Sequence, residues 1–382
     1  MIDPAAMVID PLEAHLLRAD TLRVCLVVPV SGVLGLIGPC AINCAVLAAA
    51  EVNGAGGLLG RPVELVLVDG GRSPAEVGAE VAGLVRAGAV QAVVGTHASD
   101  VRVGIERALR GAAPFVYTPP YEGGARSPGV YFLGEPASSQ VAPGIDWLIA
   151  HRRARRWFLL GNDYIWPYLV HASARVHLTS RSARIVGERF IPAGTRDMGP
   201  LIEELTATRP DAVLLNLVGN DLIEFNRAFT ASGLDCARLC GALEEHGLLA
   251  IGGDSSGELY TAMGYFGGIA TDDNLWLHER YTRRFGPDAP LLNGHGHGCY
   301  EGVLMLAALA ARAGSLAVRG RGGRGRHHGH HRTRPPHPPG PARVAARLRR
   351  TRRRAGLRSR DLLPRLVALL TAPDRPGHGA DK

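Results

Sequence analysis

The chain has 382 residues, 46% of them hydrophobic, and a formal net charge of +8; that is length and core material for two ordinary domains, and it excludes wholesale disorder. A basic balance points toward nucleic acid or an acidic membrane surface, but residues 1–316 carry 25 Lys+Arg against 32 Asp+Glu, while residues 317–382 carry 18 against 3. The body is mildly acidic and the basicity belongs to the tail, so nucleic acid is not the expected partner of the body.

Arg outnumbers Lys 42 to 1, and with the richness in Ala, Gly and Pro this reflects a GC-rich coding sequence. Six cysteines (Cys25, Cys40, Cys44, Cys236, Cys240, Cys299) show neither a CxxC pair nor zinc-finger spacing and read as small core hydrophobes. The opening MIDPAAMVIDPLEAHLLRAD lacks the positive start and apolar run of a secretory signal. No stretch reads as the 18–20 apolar residues of a membrane span. The expectation as written is a cytoplasmic protein, or an extracytoplasmic one if the true start codon lies upstream.

From Leu22 the chain alternates apolar runs with amphipathic stretches, as repeated β-α units do. The run LRVCLVVPV reads as a strand, SGVLGLIG as a Gly-rich turn and PCAINCAVLAAAEVN as a helix with Pro39 in its first turn. Next come the strand VELVLVDG and a helix at SPAEVGAEVAGLVRAG, capped by Ser73 with Glu76 three residues on. QAVVGTHAS and APFVYTPP are strands running into loops. Their continuous β-branched runs predict a parallel sheet covered on both faces.

A second alternation starts near Ala142. It gives strands at RRWFLLGND, RIVGERFIP and DAVLLNLVG, with helices between them, and ARLCGAL as the last strand. A crossing at Tyr265–Ile269 would then return the chain to the first lobe, where TDDNLWLHERYTRRFG and CYEGVLMLAALAARAG form two helices. The predicted fold is α/β, two doubly wound parallel-sheet lobes joined by crossovers. The expected boundaries are 1–21 for an N-terminal extension, 22–137 for lobe 1, 138–262 for lobe 2, 263–316 for the return to lobe 1 and 317–382 for the tail.

Several segments, in this order and spacing, carry a family resemblance: VVPVSGVLGLIGP, AAAEVNGAGGLLGRPVELVLVD, VVGTHASDVR, YTPPYEGGARSPGVYFLGEPASSQVAP and GNDYIWPY. Across Leu22–Gly314 the chain resembles the Leu/Ile/Val-binding branch of type I periplasmic binding proteins. Within that branch the Pro-Tyr-Glu-Gly with its following Ser-Pro resembles the group of amide sensors and urea- or amide-binding proteins. The resemblance implies a non-enzymatic protein closing on a small ligand: an amide, urea or an amino acid. Its partner would be an ABC permease or, in the sensor version, a cytoplasmic regulator.

Ligands of doubly wound sheets bind at the carboxyl ends of strands, where loops and helix starts present free N–H groups. In GTHASD the resemblance makes Ser99 a ligand hydroxyl; an ordinary helix cap is the plainer alternative. His97 stands where relatives carry an aromatic, with a surface histidine as its alternative. VYTPPYEGG offers Tyr117, Thr118, Pro119 and Tyr121, flat apolar area with hydroxyls that suits a planar amide or urea, and Glu122 as an acceptor or a surface ion pair. GNDYIWPY adds Tyr164 and Trp166 from the second lobe. LVGND (Gly219, Asn220, Asp221) and ALEEH (Leu243, Glu244, Glu245) end later strands and are weaker candidates for the floor.

The alternative of an α/β enzyme acting on a small amide finds little support in the sequence. Gly32, Gly35 and Gly38 do not make a dinucleotide loop. A phosphate-binding Gly-rich loop ending in Lys is impossible where the only lysine is Lys382, and no Gly-x-Ser-x-Gly elbow occurs. No catalytic residue, cofactor or functional metal is expected, although NGHGHGC (His295, His297, Cys299), read as a flexible loop, and HHGHH could bind metal adventitiously. Residues 317–360 hold 15 Arg, 5 His and no acid, a composition expected to be disordered. It fits a reading-frame shift near Ser315–Arg319. The alternative is a genuine basic arm for nucleic acid or anionic lipid.

Overall fold

The computed structural model describes residues 8–16, 20–123 and 127–318, so the expectations for the tail beyond Val318 lie outside the described residues. The first lobe takes strands β1 (Val8–Ile9), β2 (Leu22–Val28), β3 (Val63–Asp69), β4 (Ala92–Gly95), β5 (Phe115–Tyr117) and β6 (Val130–Phe132), with helices α1 (Pro11–Leu16), α2 (Gly38–Gly54), α3 (Pro74–Arg86) and α4 (Ser99–Leu109). All its strand pairs are parallel, in the order β1-β3-β2-β4-β5-β6. The second lobe takes α5 (Ala137–Gln140), α6 (Ala142–Arg152), β7 (Arg156–Asn162), α7 (Ile165–Ser180), β8 (Arg184–Ile191), α8 (Gly199–Thr208), β9 (Ala212–Asn216), α9 (Gly219–Ser232), β10 (Ala237–Cys240), α10 (Glu245–Ile251) and β11 (Leu259–Thr261). Its parallel order is β11-β10-β9-β7-β8. Helices α11 (Asp272–Phe285) and α12 (Gly294–Ala313) return to the first lobe and pack on α2.

Each sheet is covered on both faces, which is why its strands are apolar without alternation. Every residue of β2 is buried, with Val24 and Leu26 facing α2 and α12 while Cys25 and Val27 face α3 and α4. Burial of each such aliphatic side chain contributes about 1.5–3 kcal/mol. Ser73 and Glu76 form the expected capping box at the start of α3. All six cysteines are free, five of them buried, as small core hydrophobes would be.

Five elements differ from the sequence reading. Val8–Ile9 precedes the first expected strand, yet it adds an edge strand beside β3. β6 and β11 are three-residue strands, too short for a hydrophobic period to register, and β11 rather than β10 ends the second sheet. Gly35–Gly54 does have the length and, in an 18-residue window, the mean hydropathy, 1.6, of a membrane span, but 61% of that window is buried, most of it in α2, a core helix of lobe 1. The run NGHGHGC is no loop. Asn293 caps α12 through Gly296 N–H, and a Cβ on Gly296 would overlap Cys40 Sγ of α2, while Gly298 and Gly302 lie against Thr118. Glycine here serves close helix packing rather than flexibility.

Candidate functional site: the interlobe cleft

The carboxyl ends of both sheets face each other across a cavity of about 60 Å³. That is room for a few waters or one ligand of a handful of heavy atoms. The starts of α4, α7, α9 and α10 all reach it, through Ser99, Trp166, Gly219 and Gly247. The apolar wall comes from Leu34, Leu36 and Ile37 of lobe 1 and from Leu222 and Ile223 of lobe 2. Among the described residues no lysine or arginine lines it.

Three sets of contacts hold the lobes together. Ser99 Oγ does not cap its own helix; it accepts a hydrogen bond from Trp166 N–H of the other lobe at 3.1 Å, buried to 1% exposure. Asn220 N–H donates to Val33 O (3.1 Å), beside Gly219, whose φ is +52° and whose absent Cβ lets the Val33 carbonyl approach. Glu244 caps α10 through His246 N–H and Gly247 N–H, both at 2.9 Å, and also accepts from Asn293 Nδ2 of α12 at 2.9 Å. Burial alone would raise the Glu244 carboxyl. The hydrogen bonds from His246 outweigh it and hold the group below its ordinary value. Glu244 is therefore an ionised carboxylate in the cavity wall at neutral pH.

The sequence candidates divide. Ser99, His97, Tyr117, Pro119, Tyr164, Trp166 and Glu244 all border the cavity. Thr118 does not; its hydroxyl donates to Gly95 O and its side chain meets α12. Tyr121 is turned into the lobe 1 core and stacked on Phe132 at 4.3 Å, because its strand-like bridge to Pro136 points it inward. His97 is no surface histidine: it is 3% exposed, packed against Phe115 and Tyr117, with Nδ1 bonded to Ala98 O. Glu122 forms a buried ion pair with Arg102 at 2.8 Å instead of a surface one. Of the weaker candidates, Asp221 turns into lobe 2 to accept from Asn162 and Gly194, Leu243 joins the core, and Glu245 takes Gly267 N–H.

Sequence reasoning missed Thr96, Met263 and His295 in the lining, and His295 Nδ1 lies 3.3 Å from Thr96 Oγ1. It also missed Asn216, whose amide is fully buried beside Gly241 and Trp166 with neither atom bonded to protein. Its position at the carboxyl end of a strand was the available signal. Trp166 Nε1 is likewise buried without a partner. Among the described residues no group of three or more His, Cys, Asp or Glu could hold a metal, so His295, His297 and Cys299 do not converge on one.

Burial pushes the His97 imidazole down to about 4, and burial also lowers His171 and His295. These histidines stay neutral in the folded chain but take up protons near pH 6.5 when unfolded. Their contribution is thus complete above about pH 6.5 and is lost as pH falls toward the folded value. Thermal unfolding followed by circular dichroism is expected to show Tm falling from pH 7 to pH 4, with a shallower fall in His97→Phe. Parallel slopes for the two proteins would refute the assignment to His97.

Two doubly wound lobes with a ligand-sized cavity at their facing carboxyl ends define the class of two-lobed binding proteins. The family model described as "Periplasmic binding protein" matches residues 21–321, and the chain belongs to that family. Solved structures agree on the fold. They include a fatty acid ABC transporter substrate-binding protein from Thermomonospora curvata (17% identity, 78% of each chain covered, TM-score 0.69). A solute-binding protein of an ABC transporter from R. palustris, in complex with benzoate, matches at 16% identity over 77% of this chain and 81% of that one, TM-score 0.67. The branched-chain amino acid transporter substrate-binding protein from Streptococcus pneumoniae, in complex with isoleucine, matches at 18% identity over 76% and 84%, TM-score 0.65.

Proposed function

We propose that this protein is a non-enzymatic receptor that closes its lobes on a small polar ligand, an amide or urea in first place, and presents it to an ABC permease. The observation that carries the reading is a small cavity lined by no described lysine or arginine, with Trp166 in its wall and the Trp166 indole N–H buried and unpartnered beside it. A buried donor left without an acceptor costs about 1–3 kcal/mol, and a ligand carbonyl oxygen would remove that cost. A neutral carbonyl compound needs no side-chain cation, and the converging helix starts favour its oxygen.

The ionised Glu244 favours a second ligand, a branched-chain amino acid whose ammonium would meet that carboxylate. The structural relatives support the transporter role and with it a place outside the cytoplasm; a cytoplasmic amide sensor acting on a regulator is the competing role. A thermal-shift series on the full chain with acetamide, urea, leucine, isoleucine and benzoate separates the ligand readings. A ligand at 100 times its Kd stabilises the folded state by about 2.7 kcal/mol. The expected result is a shift with acetamide or urea and none with benzoate. A shift with leucine or isoleucine alone selects the amino-acid reading, and a shift with benzoate alone overturns both.

A further inference from the structure

Leu34, Leu36 and Ile37 wall the cleft from lobe 1, and all three belong to one loop, residues 29–37 between β2 and α2. The same loop crosses to lobe 2. Val33 O accepts the Asn220 N–H at 3.1 Å, and Val33 and Leu34 pack on the buried cluster of lobe 2 that contains Trp166 and Val218. Inside the loop, Gly35 N–H donates to Gly32 O at 3.2 Å and Ile37 N–H to Leu34 O at 3.1 Å. Neither bond ties it to the sheet; a side chain does. At the end of β3, Asp69 Oδ1 accepts from Val30 N–H at 2.9 Å and from Gly71 N–H at 2.8 Å, and Oδ2 accepts from the Ser31 hydroxyl at 2.5 Å. Partial burial would raise the Asp69 carboxyl, but the hydrogen bonds from Ser31, Gly71 and Val30 outweigh it and hold the group below its ordinary value. Hydrogen bonds to such an ionised acceptor are about twice as strong as neutral ones. Gly71 completes the anchor: a Cβ there would lie 2.2 Å from Ser31 O, so only glycine lets the loop rest on the turn after β3.

We propose that Asp69 is a positioning residue for ligand capture, an inference that rests on the reading of the cleft as a site that closes on its ligand. Asp69 does not line the cavity; it acts through the loop. With the carboxylate in place, Val33 is held where it meets the start of α9, and the three apolar side chains are held as a wall. Without it, a loop with two internal bonds samples other shapes. Affinity then falls in proportion to the fraction of time the closing shape is populated. The loss falls on closure and not on the lobe core, because β3 pairs with its neighbours through the backbone and the Asp69 side chain is partly exposed.

Hydrogen exchange and calorimetric titration of the full chain test this, with acetamide and urea as the probes. Asp69→Ala is expected to weaken probe binding about tenfold, as for a loop correctly placed one tenth of the time. It should also speed exchange in residues 30–38 and, across the cleft, in residues 219–223. A purely local structural role would not move the second region. Asp69→Asn should recover most of the loss, since its Oδ1 still accepts from the two N–H groups and its Nδ2 can donate to the Ser31 hydroxyl. Gly71→Ala displaces Ser31 without altering the carboxylate and should reproduce the Asp69→Ala result, which keeps the test available if Asp69→Ala does not fold. Unchanged affinity in both alanine variants, or exchange altered only within residues 30–38, would overturn the proposal. If neither probe binds the unmodified chain, the amide and urea assignment fails by itself, and exchange at residues 219–223 still decides for or against Asp69.

Discussion

Gly219→Val is expected to hold the cleft open and weaken ligand binding at least tenfold while leaving both lobes folded. Gly219 begins α9 in lobe 2 with φ +52°, and a Cβ there would lie well inside contact distance of Val33 O in lobe 1. The left-handed conformation costs a non-glycine residue about 1–2 kcal/mol, and that strain is present whether the lobes are open or closed. The overlap with Val33 is different: it exists only when they close, and it also displaces Asn220 N–H from the same carbonyl. A differential cost of 1.4 kcal/mol between open and closed forms is already a factor of ten in affinity. Gly233 separates the two effects, because its φ is +74° and nothing lies within 4 Å of its missing Cβ. Gly233→Ala should therefore lower Tm slightly and leave affinity intact. Calorimetric titration with the ligand found by thermal shift, alongside small-angle scattering, checks both variants; equal affinity loss in the two would refute the steric account of closure.

The largest stability loss is expected from Arg238→Met. Arg238 sits in β10 with its side chain 1% exposed. It donates to Asn226 Oδ1 (2.8 Å), Asp254 Oδ1 (2.8 Å) and Ser256 Oγ (2.9 Å), and its guanidinium lies 4.3 Å from the centre of the Phe229 ring. It thereby ties β10, α9 and the loop before β11 together. Methionine fills similar volume but leaves Asp254 without its counter-ion and Asn226 without its donor. Removing one partner of a buried pair costs about 3–5 kcal/mol, which for a lobe of this size lowers Tm by roughly 6–20 °C. The double variant Arg238→Met/Asp254→Asn should recover part of that loss, since no uncompensated charge remains. A thermal melt of both proteins decides it, and a loss under about 1 kcal/mol in the single variant would show that Arg238 acts only by packing.

Much of the fold was legible because it rests on local rules. Continuous apolar strands, the Ser73–Glu76 capping box and Pro39 in a first turn each follow from the backbone and from one or two neighbouring residues. Thr118 and Tyr121 show where such reading fails. Both lie in the loop that does approach the cleft, but which side chain faces it depends on the bridge between Tyr121 and Pro136 and on the contact of Thr118 with α12, residues far along the chain. His97 fails for the same reason. A histidine after a strand is polar by composition, and only the packing of Phe115 and Tyr117 around it makes it a core residue.

The sequence by itself determined the two alternating β-α lobes, the strand ends at which a ligand can sit, and the acidic body with its basic extension. These are properties of short segments and of composition, set by hydrophobic period, turn chemistry and charge. The tertiary structure alone decided that Ser99 bonds across the cleft instead of capping its helix, that Gly219 admits the Val33 carbonyl, and that NGHGHGC is a helix start. It likewise decided that Asn216 and Trp166 keep polar atoms buried without a protein partner. Each depends on which surfaces meet when distant segments pack, and a one-dimensional pattern does not encode that meeting.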